Sequence, residues 1–312
     1  MSQKADFRTR ATHLYTLSGW RTRSEIPLTR VPTSAGDGES IDVLIQIAPG
    51  HSPIGGNPAK LVFEHSAECS RLRIGAVADF EVRRGQQISV WPALGAAQKD
   101  IEIFLFGPVW ATLCHQRGVL PLHASAILVN GGITAFAGRS GAGKSTAAAL
   151  MASLNYEVFA DDILTVNFDQ NSIPGAWPYL RRLKLPRDTI LQLALTPGEP
   201  VSERLDKEKY FVQPTCAADD GWTRLERIYL LEIDAANSEN SIDRIGGAEA
   251  VRALIDHTYH RDFIEVSGQF NDHLAFCTQL ASKIAIYRLR RSPVLGTAKE
   301  LGSLIRAHLD LT

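Results

Sequence analysis

The stretch GRSGAGKST, residues 138–146, stands between the apolar run ITAFA at 133–137 and the helix-forming run TAAALMASL at 146–154. Its first eight residues satisfy the pattern G-x-x-x-x-G-K-[ST], and its flanks are those of a strand that turns tightly into a helix. In such a turn, glycines let successive backbone N–H groups point at phosphate oxygens, and the positive end of the helix adds to the attraction. The stretch therefore predicts a P-loop at a strand–helix junction of an α/β domain.

Two side chains of the predicted P-loop have expected partners. The ammonium of Lys144 is expected to neutralise the β and γ phosphates of ATP, and the hydroxyl of Ser145 is expected to bind Mg²⁺. The competing interpretation is a glycine-rich turn with a chance lysine, which the flanking strand and helix patterns disfavour. The predicted nucleotide-binding residues are Gly138, Arg139, Ser140, Gly141, Ala142, Gly143, Lys144, Ser145 and Thr146.

Two adjacent aspartates follow the next predicted strand. The run YEVFA at 156–160 leads directly into Asp161 and Asp162, which lie 17 and 18 residues after Lys144. If this strand runs parallel to the one that enters the P-loop, both carboxylates emerge at the carboxyl edge of the sheet, where open α/β folds bind ligands. One carboxylate then suits the role of proton acceptor and the other that of metal ligand. The structural alternative is a pair that ends the strand and caps a turn.

A predicted hairpin places a histidine at the same edge. The Asn-Gly dipeptide at 130–131 separates two apolar runs and is typical of a two-residue type I′ turn. With that turn, Val129 pairs with Gly132, and His123 lies opposite Gly138 at the mouth of the predicted site. There His123 would tune an aspartate or stabilise a phosphoryl group, but a structural histidine is the open alternative. A turn one residue later would shift the register by two.

The composition limits the class of partner. The 312 residues, with 45% hydrophobic content, are enough for one large domain or two ordinary ones. Because 33 basic and 34 acidic side chains nearly cancel, neither a nucleic acid nor an anionic membrane is expected as the main partner. The four cysteines lie far apart and are typical of reduced packing thiols. With no signal-like start and no apolar run near the ~20 residues that span a bilayer, we expect a soluble, cytoplasmic protein and leave homo-oligomers open.

The chain has two regions of different texture. Residues 1–100 show short period-two patterns, such as that at 41–47, and a hairpin signal at Arg84-Gly85, which predict a small β-rich N-terminal domain. From residue 101 to 312, strands alternate with helices and predict an α/β P-loop domain with a largely parallel sheet. The predicted helices are Ile101–Gly118, Ser145–Leu154, Ala248–His257, His273–Ile284 and Thr297–Leu309; the predicted strands include Ile133–Ala137, Glu157–Ala160, Arg227–Ile233 and Ile284–Leu289.

Two basic segments lie downstream of the aspartates. The first, in WPYLRRLKLPRD, comprises Arg181, Arg182, Lys184 and Arg187. It is able to grip a carboxylate or phosphate through charge-assisted hydrogen bonds, and a solvated basic face is the equal alternative. The second, in SERLDKEKY, comprises Arg204, Lys207 and Lys209 and would close over the nucleotide. The acidic end of RIYLLEID at 227–234 is interpreted as part of a core strand.

The order and spacing of these motifs resemble the catalytic core of the HPr kinase/phosphorylase family. The matching run is residues 122–166, which carries LHASA, GRSGAGKST and FADD in turn. The resemblance implies that Lys144 and Ser145 bind the nucleotide and the metal. It further implies that Asp161 is the catalytic aspartate, that Asp162 is its acidic neighbour, and that His123 lies near it.

The whole chain resembles more closely the HPr kinase-like proteins found with lasso-peptide biosynthesis. The shared features are SGWRTRSEIPL at 18–28, the β-rich front domain, RGVLPLHAS at 117–125 and YRLRRSP at 287–293. Members of that group phosphorylate a serine at the C-terminus of a precursor peptide, so the resemblance implies such an acceptor. The glycine-rich segment with a glutamate that follows the aspartates in HPr kinase/phosphorylase is absent, and residues 177–188 stand in its place. Reverse phosphorolysis is therefore not expected.

These patterns predict an ATP- and Mg²⁺-dependent kinase that acts on a serine hydroxyl of a peptide or protein. Asp161 is assigned as the proton acceptor with His123 beside it, and Asp162 joins Ser145 at the metal. Two alternatives stay open: a kinase for a small hydroxylated metabolite, and a nucleotide-binding regulator that switches a partner without phosphorylating an acceptor. The adjacent aspartates favour transfer, because a switch needs no proton acceptor.

Overall fold

The computed structural model of the chain describes residues 11–34, 40–57, 60–201, 208–214, 221–234, 240–291 and 298–311. Within them, a first compact unit comprises the residues up to Val119 together with His260–His273, and a second comprises Leu120–Tyr259 together with the residues from Leu274 on. The division predicted after residue 100 differs from these units in the segments 101–119 and 260–273. None of the helices in this described part is both long and apolar enough to cross a bilayer.

The first unit is built on one seven-stranded sheet, as the period-two patterns predict. The predicted turn at Arg84-Gly85 is present, with both residues at positive φ, and it joins two antiparallel strands. The strands are β1 (His13–Leu17), β2 (Trp20–Ser24), β3 (Val43–Ile47), β4 (Val62–Glu64), β5 (Cys69–Ile74), β6 (Ala78–Arg83) and β7 (Gln87–Pro92). Their order in the sheet is β1-β2-β3-β7-β6-β5-β4.

The helix predicted at Ile101–Gly118 is interrupted. A π-helical turn at Leu105–Val109 divides it, because Gly107 departs from helical geometry and Pro108 has no N–H to donate. The other predicted helices form within a few residues of their expected bounds. The helices are α1 (Gln98–Phe104), α2 (Trp110–Gln116), α3 (Lys144–Ala152), α4 (Arg187–Gln192), α5 (Gly247–Asp256), α6 (Asp262–Ser267), α7 (Phe270–Lys283) and α8 (Ala298–Leu311).

A late segment of the chain completes the first unit. Phe263 of α6 has no exposed surface, and its ring stacks on that of His115 in α2 with centroids 4.9 Å apart and planes 9° from parallel. Residues 260–273 therefore supply core side chains to a unit whose other residues precede 120.

The second unit is organised around a nine-stranded sheet. Its strands are β8 (Leu120–Leu122), β9 (Ala124–Val129), β10 (Gly132–Gly138), β11 (Val158–Ala160), β12 (Leu164–Phe168), β13 (Pro174–Ala176), β16 (Thr223–Ile233), β17 (Ser241–Ile245) and β18 (Ala285–Arg291). A separate two-stranded antiparallel sheet contains β14 (Leu183–Pro186) and β15 (Lys209–Val212). The main path runs β11-β9-β10-β16-β13-β12-β8, and β18 pairs with both β16 and β17.

This sheet is mixed, which corrects the expectation of a largely parallel one. Parallel pairing joins β10 to β16 and β16 to β18, and the remaining pairs are antiparallel. The reason is the length of the connections, since a two-residue turn such as that at 130–131 joins only antiparallel strands, whereas parallel neighbours need a long crossover. The helical pattern of the sequence indicates the crossover connections, but it does not show how many of the strand pairs are antiparallel.

Helices cover both faces of the parallel strands. Phe136 of β10 packs in a buried cluster with residues of α3 and α8, whereas Ala135 and Ala137 pack in a second cluster with residues of α5 and α7. The alternation follows from the period of two along a strand. Because both faces are covered, the carboxyl ends of β10, β16 and β18 form the edge at which a ligand can reach the backbone.

Candidate active site

The predicted P-loop connects the end of β10 to α3. Gly141 and Gly143 have φ of +87° and +102°, a region that is costly for any residue with a Cβ atom. Gly138 is needed for a different reason, because a Cβ there would lie 2.9 Å from the carbonyl oxygen of Leu231. The glycines of the motif thus allow a turn that brings the N-terminus of α3, with its unpaired N–H groups, to the edge of the sheet.

Lys144 lies folded along the loop. It is only 7% exposed, and its Nζ donates hydrogen bonds to the carbonyl oxygens of Gly138 at 2.9 Å and Arg139 at 3.2 Å. Burial lowers the pKa of Lys144 to about 8, although the charges of Asp162 and Asp161 act in the opposite direction. The ammonium that is expected to reach the outer phosphates therefore lies at the first half of the loop.

Asp161 and Asp162 emerge at the P-loop edge. β11 and β10 each pair antiparallel with β9 and so run in the same direction, as the sequence predicts. Asp161 is 1% exposed and accepts three hydrogen bonds. Ser125 Oγ at 2.6 Å and Ser145 Oγ at 2.8 Å donate to its Oδ1, and the backbone N–H of Lys184 at 2.8 Å donates to its Oδ2. A carboxylate has about four lone pairs, so one on Oδ2 stays available.

The two carboxylates differ in ionisation. Burial raises the pKa of Asp161 above its usual value, and the hydrogen bond from Ser125 opposes this shift. Burial also acts to raise the pKa of Asp162, but the positive charge of Lys184 is among the opposing effects that together lower it to about 2. Lys184 Nζ donates to Asp162 Oδ2 at 2.7 Å. Asp161 is therefore the more basic carboxylate, and Asp162 is the one that remains charged.

The predicted register brings His123 to the same place. The pairing of β9 with β10 begins at Val129 and Gly132, so that His123 and Gly138 follow its last pair. The Nε2 atom of His123 lies 3.7 Å from Oδ1 of Asp162. The type I′ turn at 130–131 is thus confirmed over the shifted alternative.

His123 is neutral near pH 7. Burial, reinforced by the charge of Lys144, lowers the pKa of His123 to about 4. Its backbone N–H donates to the carbonyl oxygen of His257 at 2.9 Å, which fixes the strand end. Because His123 carries no charge at this pH, Lys184 is the cation that holds Asp162.

These groups line one polar cavity of about 210 Å³. Three lysines converge there on the two aspartates and on the first residues of α3, an arrangement that favours a polyanion. The lining residues are His123, Ser140, Gly141, Gly143, Lys144, Ser145, Thr146, Asp161, Asp162, Lys184, Pro186 and Lys209.

The downstream basic cluster is brought to this cavity only in part. Lys184 and Lys209 lie on the paired strands β14 and β15, and both line the cavity. Arg181 and Arg182 do not line it, and Arg182 Nη1 instead lies 3.6 Å from Glu199 Oε1 on the surface. The predicted residues 204 and 207 lie outside the described residues. Residues 227–233 of RIYLLEID form the end of β16, which has partner strands on both sides, in agreement with its interpretation as a core strand. Its last two residues, Glu232 and Ile233, are exposed.

Sequence reasoning missed two contributors. Ser125 lies two residues after His123 on the same strand face, so the LHASA motif together with the period of two would have indicated it. Arg291, in the YRLRRSP segment, donates from Nε to the carbonyl oxygen of Ala142 at 3.0 Å and so supports the P-loop from β18. The local sequence gives no signal for this contact of Arg291, because the contact depends on the parallel pairing of β18 with β16.

The oxygens of the site fit a magnesium ion. Mg²⁺ usually takes one or two protein ligands and completes its shell with phosphate and water oxygens. Ser145 Oγ and the carboxylate of Asp162 line the same cavity as the phosphate-binding stretch. Across the described ranges, no group of three His, Cys, Asp or Glu side chains is arranged to hold a metal ion, so the remaining ligands would come from the nucleotide and water.

Comparisons with known proteins add one similarity. No protein-family model matches the chain, and no curated protein matches it. Among solved structures, the chain is similar to an HPr(Ser) kinase/phosphatase from Coxiella burnetii, with a TM-score of 0.28 and 12% identity over 60% of this chain and 89% of that one.

Proposed function

We propose that the chain is an ATP-dependent kinase that transfers the γ-phosphoryl group to a hydroxyl, with a serine of a peptide or protein as the acceptor. The observation that carries the proposal is the pair of aspartates beside the P-loop, of which Asp161 accepts a hydrogen bond from Ser145 of the loop itself. A nucleotide held by the loop places its terminal phosphate next to a buried carboxylate with a raised pKa. Such a carboxylate suits proton abstraction.

The geometry supports a proposed role for each residue. The oxygen of the acceptor hydroxyl attacks the γ phosphorus. Its proton passes to the free lone pair on Asp161 Oδ2. The bond between that phosphorus and the β–γ bridging oxygen breaks, and ADP leaves. Lys144 neutralises charge on the outer phosphates, and neutral His123 offers a hydrogen bond at the same point.

The metal site is assigned to Ser145 and Asp162. A bound Mg²⁺ would supply charge neutralisation to the β and γ phosphates. Since the pKa of Asp162 is lowered to about 2, its carboxylate is ionised and ready to bind a cation at neutral pH. Lys184, which pairs with Asp162 in this structure, lines the same cavity and would be placed to pair with a phosphate if a cation took its place at Asp162.

The acceptor proposed is a serine at a peptide C-terminus. The support is the resemblance of the segments at 18–28, 117–125 and 287–293 to the lasso-peptide group, whose members modify such a serine. A terminal carboxylate close to the hydroxyl also offers a group that an arginine can hold in two parallel hydrogen bonds. Two bound points then orient the hydroxyl toward Asp161.

The experiment is phosphate transfer followed by mass spectrometry. The chain is incubated with ATP, Mg²⁺ and peptides that end in serine, alongside small hydroxylated metabolites. We expect a gain of one phosphoryl mass on the peptide, and a loss of roughly 10²–10⁴-fold in rate for Asp161→Asn with nucleotide binding retained. Release of inorganic phosphate without any phosphorylated acceptor would overturn the proposal in favour of a nucleotide-hydrolysing regulator.

A further inference from the structure

The second unit contains a larger cavity on the other side of the P-loop. It has a volume of about 960 Å³ and extends from Arg139 and Gly141 past Ile233 at the end of β16 to Ala253 and His257 at the end of α5. This volume is near the upper limit of the roughly 300–1,000 Å³ that ligand cavities occupy. The phosphate-transfer roles above leave this space unused.

The two cavities meet at the loop. Ser140 and Gly141 line both, Thr146 lines only the smaller cavity, and Arg139 lines only the larger one. Lys144 Nζ lies beside the carbonyl oxygens of Gly138 and Arg139, at the end of the loop where the larger cavity begins. A P-loop lysine contacts the β and γ phosphates of a bound nucleotide, so the transferable phosphate would lie at that end and the nucleoside on the Thr146 side.

The charges of the larger cavity are mostly paired. Arg288 donates to Glu232 at 3.0 Å and to Glu249 at 2.6 Å, so its one guanidinium bridges both carboxylates. Arg252 lies 3.8 Å from Asp256 one turn along α5. Arg139 is exposed, and within the described part of the chain its guanidinium forms no ion pair. The cavity therefore offers one cation for an anionic ligand, at the point closest to the P-loop.

We infer that the larger cavity takes the acceptor peptide, with its chain-terminal carboxylate on Arg139 and its hydroxyl directed over Ser140 and Gly141 toward the phosphate. The inference rests on the proposed function and adds to it the location of the acceptor. Ile233, which is 50% exposed, gives an apolar side chain of the peptide a surface to cover. A guanidinium fork suits a carboxylate, and the other two arginines that line the cavity, Arg252 and Arg288, already lie beside carboxylates of the chain.

The first experiment crosses two changes. The wild-type chain and Arg139→Ala are each assayed with a serine-terminated peptide that carries either a free carboxylate or an amide. We expect Arg139→Ala to raise the KM for the free peptide about tenfold, the size of a lost charge-assisted hydrogen bond, with the loss confined to the peptide that carries a free carboxylate. Amidation should have the same effect on the wild type and no further effect on the variant. Arg306→Ala, an exposed arginine of α8 outside both cavities, is the matched control.

A second variant tests the cavity by its volume. Ile233→Trp replaces a half-exposed aliphatic side chain that lines the cavity with a larger indole ring. Leu191→Trp, at a 70% exposed position on α4, is the control. Fluorescence anisotropy of a labelled peptide with a non-hydrolysable ATP analogue measures binding without transfer, so this test stands if phosphorylation fails. We expect several-fold weaker peptide binding for Ile233→Trp alone. Weaker nucleotide binding with unchanged peptide binding, or a carboxylate effect that follows Arg181 or Arg182, would overturn the inference.

Discussion

Ser145 Oγ donates a hydrogen bond of 2.8 Å to Oδ1 of Asp161, which joins the phosphate-binding loop directly to the strand end that carries the carboxylates. Ser125 Oγ donates to the same oxygen at 2.6 Å. Two hydroxyls thus stabilise the anion of a fully buried carboxyl, whose pKa burial alone would raise further. The balance between burial and these donors sets the basicity of the site.

The loss of Ser125 should move the acid limit of activity. Asp161 must be ionised to accept a proton, so transfer falls as the pH drops through its pKa. Ser125→Ala removes a donor to the carboxylate, so the pKa of Asp161 rises further and the fall in kcat occurs at higher pH. A kcat profile from pH 5 to 9 measures the shift. Thr134→Val, which removes a buried hydroxyl without a hydrogen-bond partner in the described structure, is the control and should leave the profile in place.

The charge of Lys144 should make ATP binding sensitive to alkaline pH. Burial lowers the pKa of this lysine to about 8, so the free chain loses the charge as the pH rises through that value and its affinity for ATP falls. Titration calorimetry at pH 7 and pH 9 measures the difference. Lys144→Arg keeps its charge at both values, so its affinity should change much less. Equal pH dependence in the two proteins would remove Lys144 as the cause.

The buried neutral state of His123 should reduce stability in acid. The unfolded chain takes up a proton near pH 6.5, but folded His123 does so only near pH 4, so stability falls as the pH drops between these values. His123→Asn should reduce that slope by up to about 1.4 kcal/mol per pH unit. Urea unfolding at pH 7 and pH 5 tests it. The pKa of His260 is also lowered to about 4, so His260→Asn should reduce the slope by a similar amount without affecting phosphoryl transfer.

Two glycines of the loop should respond differently to alanine. At Gly141 a Cβ has no heavy atom within 4 Å, so Gly141→Ala meets only the strain of a positive φ, about 1–2 kcal/mol. At Gly138 the Cβ would lie 2.9 Å from a backbone oxygen, so Gly138→Ala must displace β10 from β16. We expect the larger fall in melting temperature for Gly138→Ala. Similar melting temperatures for both variants would mean that β16 moves away from the added Cβ atom at little cost in stability.

Local patterns were enough to predict the centre of the site. The P-loop, the helix after it and the strand that delivers Asp161 lie within one short stretch of chain, where period and spacing determine the geometry. The register that brings His123 beside Gly138 was also predictable, because a two-residue turn fixes the pairing of its strands. In each case the residues that meet are close in sequence or are linked by one hairpin.

Contacts over long separations were not predictable. The backbone N–H of Lys184 reaches Asp161 from the first residues of β14, which pairs with the distant β15, and this pairing has no counterpart in any local period. The mixture of parallel and antiparallel strand pairs was not predicted for the same reason, since the helical pattern does not indicate which strands become neighbours. The basic cluster likewise divides, with Lys184 at the cavity and Arg182, which precedes β14, beside Glu199 at the surface. Their spacing of two residues would place them on one face of a strand, so it does not predict this separation.

The late segment that supplies Phe263 to the first unit bears on how the chain is made. A ribosome delivers residues 11–119 well before Phe263, so the stacking partner of His115 is missing while most of the second unit is being synthesised. The first unit can therefore complete its core only after the P-loop and both aspartates have left the exit tunnel. Maturation of the two units overlaps in time, and a fragment that stops at residue 119 leaves His115 without the ring that covers it.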